Sequence, residues 1–139
     1  FAVTQECDAH PEFKRILADA TPEDIVEFVS VTGLPARAVK TPWLVRYMRQ
    51  EQRIREKIGT KPQTCQSGLN CLSACGWRDG IEKFGHFCID TRLAAALRGD
   101  RETGLFFRGR EALPFGSAIR SVRELLDLLV ADIRPTAEA

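Results

Sequence analysis

The sequence predicts an α/β fold that is mostly helical, with only short extended segments. Three observations lead to this fold class. Apolar residues recur at helical spacing in several stretches, most clearly from Val122 to Ile133. β-Branched residues with alternating apolar character fill the stretch 26–31, which is typical of a strand. A short apolar run, 104–109, lies between two glycines. The length of 139 residues is enough for one modest domain with its own core.

Four helices are predicted in chain order, and each begins or ends at a recognised signal. They cover about residues 10–20, 42–58, 88–98 and 121–133. Asp8 is the expected cap of the first helix, and Pro42 takes the first turn of the second. Ser121 and Glu124 form a capping-box pattern before the last helix, which Pro135 ends. Glycines at 59 and 99 are the expected stops of the second and third helices.

The stretch after the first helix gives conflicting signals. Residues 21–24, Thr-Pro-Glu-Asp, resemble a helix start, whereas the β-branched residues that follow favour a strand. We expect an extended segment over about 26–31, ended by Gly33 and Pro35.

The composition is that of a soluble globular protein, with 44% apolar and 28% charged residues. A formal net charge of +1 provides no overall field for nucleic acid or for an anionic membrane. No apolar run reaches the roughly 20 residues that a membrane span needs, and no secretory signal is visible. We therefore expect a cytoplasmic protein with a small-molecule substrate, and with neither nucleic acid nor a membrane as a partner.

Positive charge is concentrated in one segment, 40–61, which has seven basic residues against two acidic ones. A solvated helix face accounts for this pattern. The other interpretation is a contact surface for phosphate or nucleotide, with Trp43 and Tyr47 as interleaved aromatic residues.

The five cysteines give the strongest local signal. An odd number without a secretory signal argues against a disulfide framework. Four of them, Cys65, Cys71, Cys75 and Cys88, follow one another at spacings of five, three and twelve residues in a glycine-rich loop. Four thiolates can hold an iron–sulfur cluster or complete a tetrahedral zinc site. The spacing departs from the paired Cys-x-x-Cys of zinc ribbons and favours iron–sulfur over zinc. The alternative is that these are small buried residues or surface thiols, with His86 an ordinary hydrogen-bonded side chain.

No catalytic residue is predicted within the chain. Cys7 and His10 lie across a helix cap, and no oxyanion donors can be recognised around them. The dinucleotide glycine motif, the Walker loop and the nucleophile elbow are all missing from the sequence.

Several stretches, in order, resemble nitronate monooxygenases, formerly called 2-nitropropane dioxygenases. The opening Phe-Ala-Val-Thr-Gln-Glu, followed by Ala-His-Pro at 9–11, is similar to the segment after the last barrel strand of that family. A Gly-Thr-Arg tripeptide comes just before the phenylalanine in the family, whereas this sequence begins at Phe1. Residues 32–39 are similar to the family's Gly-Arg-Pro-Ala-Arg segment, with Leu34 in place of arginine. Residues 87–89, 94–97, Gly99 and 104–109 resemble the tail of a cysteine-bearing subgroup, and 119–129 resemble the last barrel helix.

The resemblance implies that the chain is the C-terminal portion of an FMN-binding TIM barrel. In that arrangement residues 1–7 would be the end of the last strand with its following loop, and 8–116 an excursion over the active site, with the cysteine-rich loop at 61–88. Residues 117–134 would be the final barrel helix and 135–139 a frayed tail. The missing N-terminal barrel portion would be a partner, and homo-oligomer formation stays open. A final helix with no sheet beneath it would expose a large apolar stripe.

The family also implies an activity and two sets of site residues. The activity would be oxidative denitrification of alkyl nitronates with FMN and oxygen, and relatives in this fold family act on quinones or enoyl thioesters. Phe1 and Thr4 would lie near the flavin phosphate, and Gly33 and Arg37 would approach the substrate. The catalytic base of the family would lie upstream, so this fragment alone would be inactive. The alternative function is an autonomous cysteine-rich module that binds a metal or an iron–sulfur cluster without enzymatic activity.

Overall fold

The computed structural model describes residues 1–58 and 61–131. The chain is largely helical and has one two-stranded sheet. In chain order the elements are α1 (Pro11–Asp19), a 3-10 turn (Pro22–Asp24), β1 (Ile25–Val29), β2 (Pro35–Val39), α2 (Pro42–Ile58), α3 (Gly76–Asp79), α4 (Ile89–Leu97) and α5 (Val122–Ala131). Among the described helices, none combines the length and apolar character that a membrane crossing requires.

The four predicted helices are present, with one correction at a cap. The side chain of His10, not that of Asp8, caps α1: its Nδ1 accepts a hydrogen bond of 3.1 Å from the backbone N–H of Glu12. At α5 the predicted capping box forms, because Ser121 and Glu124 exchange backbone and side-chain hydrogen bonds. The expected stop at residue 59 and the end of α5 beyond Ala131 lie outside the described residues.

The conflicting signals after α1 both have a structural counterpart. Thr21 and Asp24 form a capping box, but the turn that they start is a single 3-10 turn. The β-branched residues then form β1, which pairs antiparallel with β2 from Ile25 opposite Val39 to Val29 opposite Pro35. The extended segment was therefore predicted nearly in place, whereas β2 was not expected.

The second strand has weak intrinsic β-propensity and is held on both sides by neighbours. On one side it pairs with β1. On the other, the N–H of Val39 donates to the carbonyl of Phe106 at 2.8 Å, and the N–H of Arg108 donates to the carbonyl of Arg37 at 3.2 Å. Residues 104–109, the apolar run between two glycines, thus lie beside β2 as an irregular third segment.

The hairpin separates two apolar cores, because successive side chains of a strand point to opposite faces. The first core lies on the face of Phe28 and Ala38, and the second lies on the face of Ile25 and Val39. The first core contains Phe28, Val31, Ala38, Trp43, Leu44, Tyr47, Phe87 and Leu105. The second contains Ile16, Leu17, Ile25, Val39, Ala96 and Phe106, from α1, the hairpin, α4 and the apolar run.

The aromatic residues of α2 belong to the first core. Trp43 and Tyr47 are buried, and each meets the ring of Phe87 edge-on, with centroids 5.2 and 5.0 Å apart. Trp43 and Tyr47 also line a cavity together with Arg46 and Arg92, and the Arg92 guanidinium lies 4.9 Å from the centroid of the Trp43 ring. Two basic residues of α2 are paired, Arg46 with Glu102 and Arg55 with Glu51, as expected for a solvated helix face.

The last helix is attached at its start and uncovered along its length. The Glu6 carboxylate accepts from the N–H of Val122 at 2.9 Å, and Thr4 forms a parallel bridge with Arg120. Leu125 is buried, but Leu126, Leu128, Leu129 and Val130 are 38–46% exposed. The apolar stripe predicted for this helix is thus left facing solvent in the described part of the chain.

Candidate functional site

A cavity of about 450 Å³ lies between the first residues of the chain and α5, and we call it the N-terminal cavity. Its volume is within the range of small-molecule and cofactor sites. Its walls are mainly apolar. It is lined by residues 1–4, Leu17, 107–109, 113–116, Ala118, Arg120, Leu125 and Leu129.

Both residues expected near a flavin phosphate, Phe1 and Thr4, line this cavity. Thr4 is buried, and its hydroxyl donates to the carbonyl of Phe1 at 2.7 Å, so the hydroxyl fixes the turn at residues 1–4. Lys14, from α1, donates to the carbonyl of Gln5 at 3.2 Å and holds the next residues of the same segment. Phe1 itself is exposed.

Two arginines that the sequence interpretation did not select, Arg108 and Arg120, also line the N-terminal cavity. Arg108 is committed to the fold, because its guanidinium donates to the carbonyls of Leu17 and Gly109 at 2.7 and 2.8 Å. Arg120 is more than half exposed, and within the described residues its ion pair is a long contact of 3.5 Å with Glu124. Of the two cavity arginines, Arg120 is therefore the one whose donors are less committed to the described part of the fold. No sequence motif marks either arginine.

The two residues expected on the substrate side, Gly33 and Arg37, are separated from each other by the structure. Gly33 lies in the hairpin turn at φ +81, where a Cβ would meet the ring of Phe84 at 2.4 Å. Arg37 lies on β2 and pairs across the hairpin with Glu27 at 3.2 Å. Only Arg37 lines a shallow groove that adjoins the N-terminal cavity, because residues 107–109 form a wall of both.

The four clustered cysteines line a second, much smaller cavity of about 20 Å³, the cysteine cavity. Cys88 is buried, Cys65 and Cys75 are half-buried and Cys71 is exposed. The structure thus brings together all four thiols that the spacing selected. Within the described residues, no group of three or more His, Cys, Asp or Glu side chains is arranged to hold a single metal ion.

Short α3 organises the loop around this cavity. Trp77 donates from its ring N–H to the carbonyl of Thr64 at 2.9 Å. Arg78 donates to the carbonyls of Leu72 and Ser73 at 2.8 and 3.2 Å, and its guanidinium is paired with Asp79 at 2.6 Å. These hydrogen bonds from α3 hold the irregular backbone on both sides of Cys71.

Several donors point at the cysteine sulfurs. The backbone N–H of Asn70 and then the Ser67 hydroxyl lower the pKa of the Cys65 thiol, because they stabilise its thiolate. The N–H of Arg78 donates to Cys75 Sγ at 3.5 Å. Asn70 has a left-handed backbone at φ +47, which is a conformation that asparagine tolerates.

The histidines occupy structural positions away from the N-terminal cavity. His10 caps α1. His86 is buried, its backbone N–H donates to the Tyr47 hydroxyl at 3.0 Å, and burial lowers the pKa of its imidazole. Neither ring nitrogen of His86 has a hydrogen-bond partner within the described chain, which corrects the expectation of an ordinary hydrogen-bonded histidine.

Comparison with known proteins relates the fold to one solved protein. No family model matches the sequence, and no curated protein does. Among solved structures, FabK from Thermotoga maritima is similar, with a TM-score of 0.57 and 20% identity over 94% of this chain. A point mutant of the same FabK is also similar, with a TM-score of 0.52 and 20% identity.

The described chain spans about a third of the FabK chain, 33% in one structure and 31% in the mutant. FabK is a TIM-barrel protein. The barrel context implied by the sequence resemblance is therefore supported at the level of fold. The fold of this chain is similar to a mostly helical third of a TIM-barrel protein.

Proposed function

We propose that this chain forms part of a flavin-dependent oxidoreductase, in which it covers the cofactor and contributes the N-terminal cavity to the FMN site. The observation that carries the proposal is this cavity, built from the residues that the family resemblance assigns to the flavin phosphate. Similarity to FabK, a flavin-dependent TIM-barrel enzyme, gives independent support at the level of fold.

The residues present suit FMN. A cavity of about 450 Å³ with apolar walls is large enough for part of an isoalloxazine ring system or a ribityl phosphate. The Arg120 guanidinium at its rim can donate two parallel hydrogen bonds to a phosphate. FMN would supply the redox chemistry. This chain's residues would bind the phosphate end, exclude water through the apolar wall and position the flavin against the rest of the barrel.

The uncovered face of α5 fits the same proposal. Four exposed apolar side chains on one helix need a partner surface, and barrel helices pack such faces against the parallel sheet. The missing barrel portion would bury them. The described residues contain only one antiparallel pair of strands, so the sheet would come from the remainder of the protein.

Nitronate oxidation is the activity that we favour, because the resemblance spans nearly the whole sequence. Reduction of an enoyl thioester is the second candidate, favoured by the fold similarity to FabK, an enoyl-ACP reductase. The two differ in the source of electrons. A nitronate oxidase reduces its flavin with the nitronate itself, whereas an enoyl reductase needs a nicotinamide donor.

The experiment uses the complete protein that carries this chain. We expect bound FMN, and we expect Arg120→Gln to weaken FMN affinity by about ten- to a hundredfold, since a charge-assisted hydrogen bond is worth roughly 1.5–3 kcal/mol. Arg123→Gln, an exposed change on the same helix but outside the cavity, is the matched control. A protein without flavin, or equal affinity for wild type and Arg120→Gln, would contradict the proposal. Oxygen uptake with a small alkyl nitronate, against NAD(P)H oxidation with a short enoyl thioester, separates the two activities.

A further inference from the structure

We propose that a further cavity, between α2 and the start of α4, binds a small organic anion, namely a carboxylate or a phosphate ester on a compact apolar body. The cavity has a volume of about 340 Å³, and we call it the α2–α4 cavity. Its walls come from α2, from residues 86–88, from Arg92 of α4, and from Gln66 and Trp77. It shares no lining residue with the N-terminal cavity, so the proposal does not rest on the flavin function.

The first argument is a pair of like charges. Arg46 and Arg92 line the cavity from two different helices. Among the described residues Arg92 forms no ion pair, and the carboxylate partner of Arg46, Glu102, is exposed and 3.7 Å away. Burial, opposed by Cys88 and Asp100, lowers the pKa of the Arg92 guanidinium, and the charge of Arg46 acts in the same direction as burial. Two guanidinium groups close to each other at one cavity favour a ligand of opposite charge.

The second argument is the orientation of Arg92. Its guanidinium lies 4.9 Å from the centroid of the Trp43 ring, and Nη1 donates to the carbonyl of Thr103 at 3.1 Å. Within the described residues Nη1 is the only nitrogen of this guanidinium with a hydrogen bond, and Nε is buried without a partner. The edge formed by Nε and Nη2 therefore has two donors for the two oxygens of a carboxylate or phosphate. An anion bound there displaces no hydrogen bond of the described protein.

His86 adds an uncharged polar group to the same wall. Its side chain is buried, and neither ring nitrogen has a hydrogen-bond partner in the described part of the chain. Burial, and then the charge of Arg55, lowers the pKa of the imidazole, so the ring is neutral at pH 7. A neutral imidazole has one N–H donor and one acceptor nitrogen. Because buried polar groups in proteins are nearly always hydrogen-bonded, we expect a polar atom of the ligand to pair with this ring.

The remaining lining suits the apolar body of such a ligand. Ile54 and Trp77 are half-buried side chains of the wall. A volume of about 340 Å³ is within the range of small-molecule sites. Of the seven basic residues in segment 40–61, only Arg46 lines the cavity, so two arginines and not the whole basic helix face would select the anion.

The test is made on the complete protein with its flavin bound, by isothermal titration calorimetry. The probes are benzoate, phenyl phosphate and benzamide, which is a neutral counterpart of benzoate. We expect a Kd below about 1 mM for at least one of the two anions. Benzamide should bind at least about tenfold more weakly than benzoate, because it lacks the charge that the arginines select. The tighter of the two anions identifies the site as one for carboxylates or for phosphates.

Arg46→Gln and Arg92→Gln should each weaken binding of the tighter anion about tenfold, since each removes one cationic donor. Arg49→Gln is the matched control, because Arg49 is exposed on α2 and lies outside the cavity. It should leave the Kd within about twofold of wild type, and so should Arg120→Gln in the N-terminal cavity.

The proposal is overturned if neither anion binds the wild-type protein, which is a result that needs no variant to fold. It is equally overturned if benzamide binds as tightly as benzoate, or if Arg120→Gln weakens binding as much as Arg92→Gln does, because the ligand would then lie at the N-terminal cavity. Far-ultraviolet circular dichroism reports whether Arg92→Gln is folded. Arg46 is exposed, so Arg46→Gln tests the same site with little effect on packing.

Discussion

The contact between α3 and the segment before α4 can be tested at one glycine. A Cβ added to Gly76 would lie 2.1 Å from the carbonyl oxygen of Gly85 and 2.8 Å from Phe84 Cβ. The first neighbour is backbone, and it is itself held by a hydrogen bond of 2.8 Å from the N–H of Gly85 to Ser30. The Gly85 carbonyl oxygen would have to move by about 1.3 Å to reach the 3.4 Å at which ordinary van der Waals contact begins. Gly76→Ala therefore pushes the cysteine loop away from the end of β1.

The size of the effect follows from three contributions. Overpacking of a tight site costs about 1–3 kcal/mol. Loss of the Gly76 hydrogen bond to Val31 adds about 1 kcal/mol. The smaller entropy of the unfolded alanine chain offsets roughly 0.4–1 kcal/mol. We expect a net loss of about 1–3.5 kcal/mol in the free energy of unfolding.

Urea denaturation measures this loss. With a slope of about 2 kcal/mol per molar urea, the midpoint should fall by about 0.5–2 M. Gly109→Ala is the matched control, because no atom lies within 4 Å of its added Cβ and its φ is an ordinary one. Its free energy of unfolding should stay within about 0.5 kcal/mol of wild type. Equal midpoints for the two variants would refute the close approach at Gly76.

Two further predictions concern single hydrogen bonds. Burial raises the pKa of Tyr47 to about 12, so the stability that this group contributes is complete below about pH 10, the ordinary tyrosine pKa, and is lost as pH rises toward 12. Tyr47→Phe should lower the free energy of unfolding by about 1–2 kcal/mol at pH 7, because the buried N–H of His86 loses its acceptor. The stability difference between the two proteins should shrink above about pH 10. Urea midpoints measured against pH would contradict this if the two curves stayed parallel. Ser121→Ala should cost about 1 kcal/mol by removing the cap of α5, measured by urea midpoint and helical ellipticity, while the exposed Ser117→Ala should change neither.

Local signals explain which parts of the fold could be predicted from the sequence. Helices with a cap, a first-turn proline and apolar spacing were placed within about one or two residues, because those signals act within a few positions of the chain. β2 could not be recognised in the same way. Its sequence, Pro-Ala-Arg-Ala-Val, has little β-propensity, and it is a strand because β1 and residues 106–108 supply hydrogen bonds on both sides. Tertiary pairing decided the outcome there.

In the candidate sites, too, sequence spacing and resemblance identified some residues, whereas others depend on tertiary contacts. Spacing alone grouped the four cysteines, and they do line one cavity. Resemblance assigned Phe1 and Thr4 to the flavin phosphate; both line the N-terminal cavity, and their flavin contact stays a prediction. Arg120 could not be found from its neighbours in sequence, because it reaches the cavity only through the bridge that its backbone forms with Thr4. Gly33 and Arg37 belong to one sequence motif. The structure places Gly33 in the hairpin turn and Arg37 on β2, so their surroundings differ.

The placement of the two cavities bears on how they would work together. The N-terminal cavity and the cysteine cavity share no lining residue. The N-terminal cavity is walled by Leu17 from the second core, whereas the cysteine loop is anchored at Val31 of the first. Phe107 also lines the N-terminal cavity and packs against the first core, so this residue connects the two regions. Cys71→Ser is an exposed change at the cysteine cavity, which shares no lining residue with the N-terminal cavity, so it should leave FMN content unchanged. A loss of FMN in this variant would mean that the cysteine loop supports the fold as a whole.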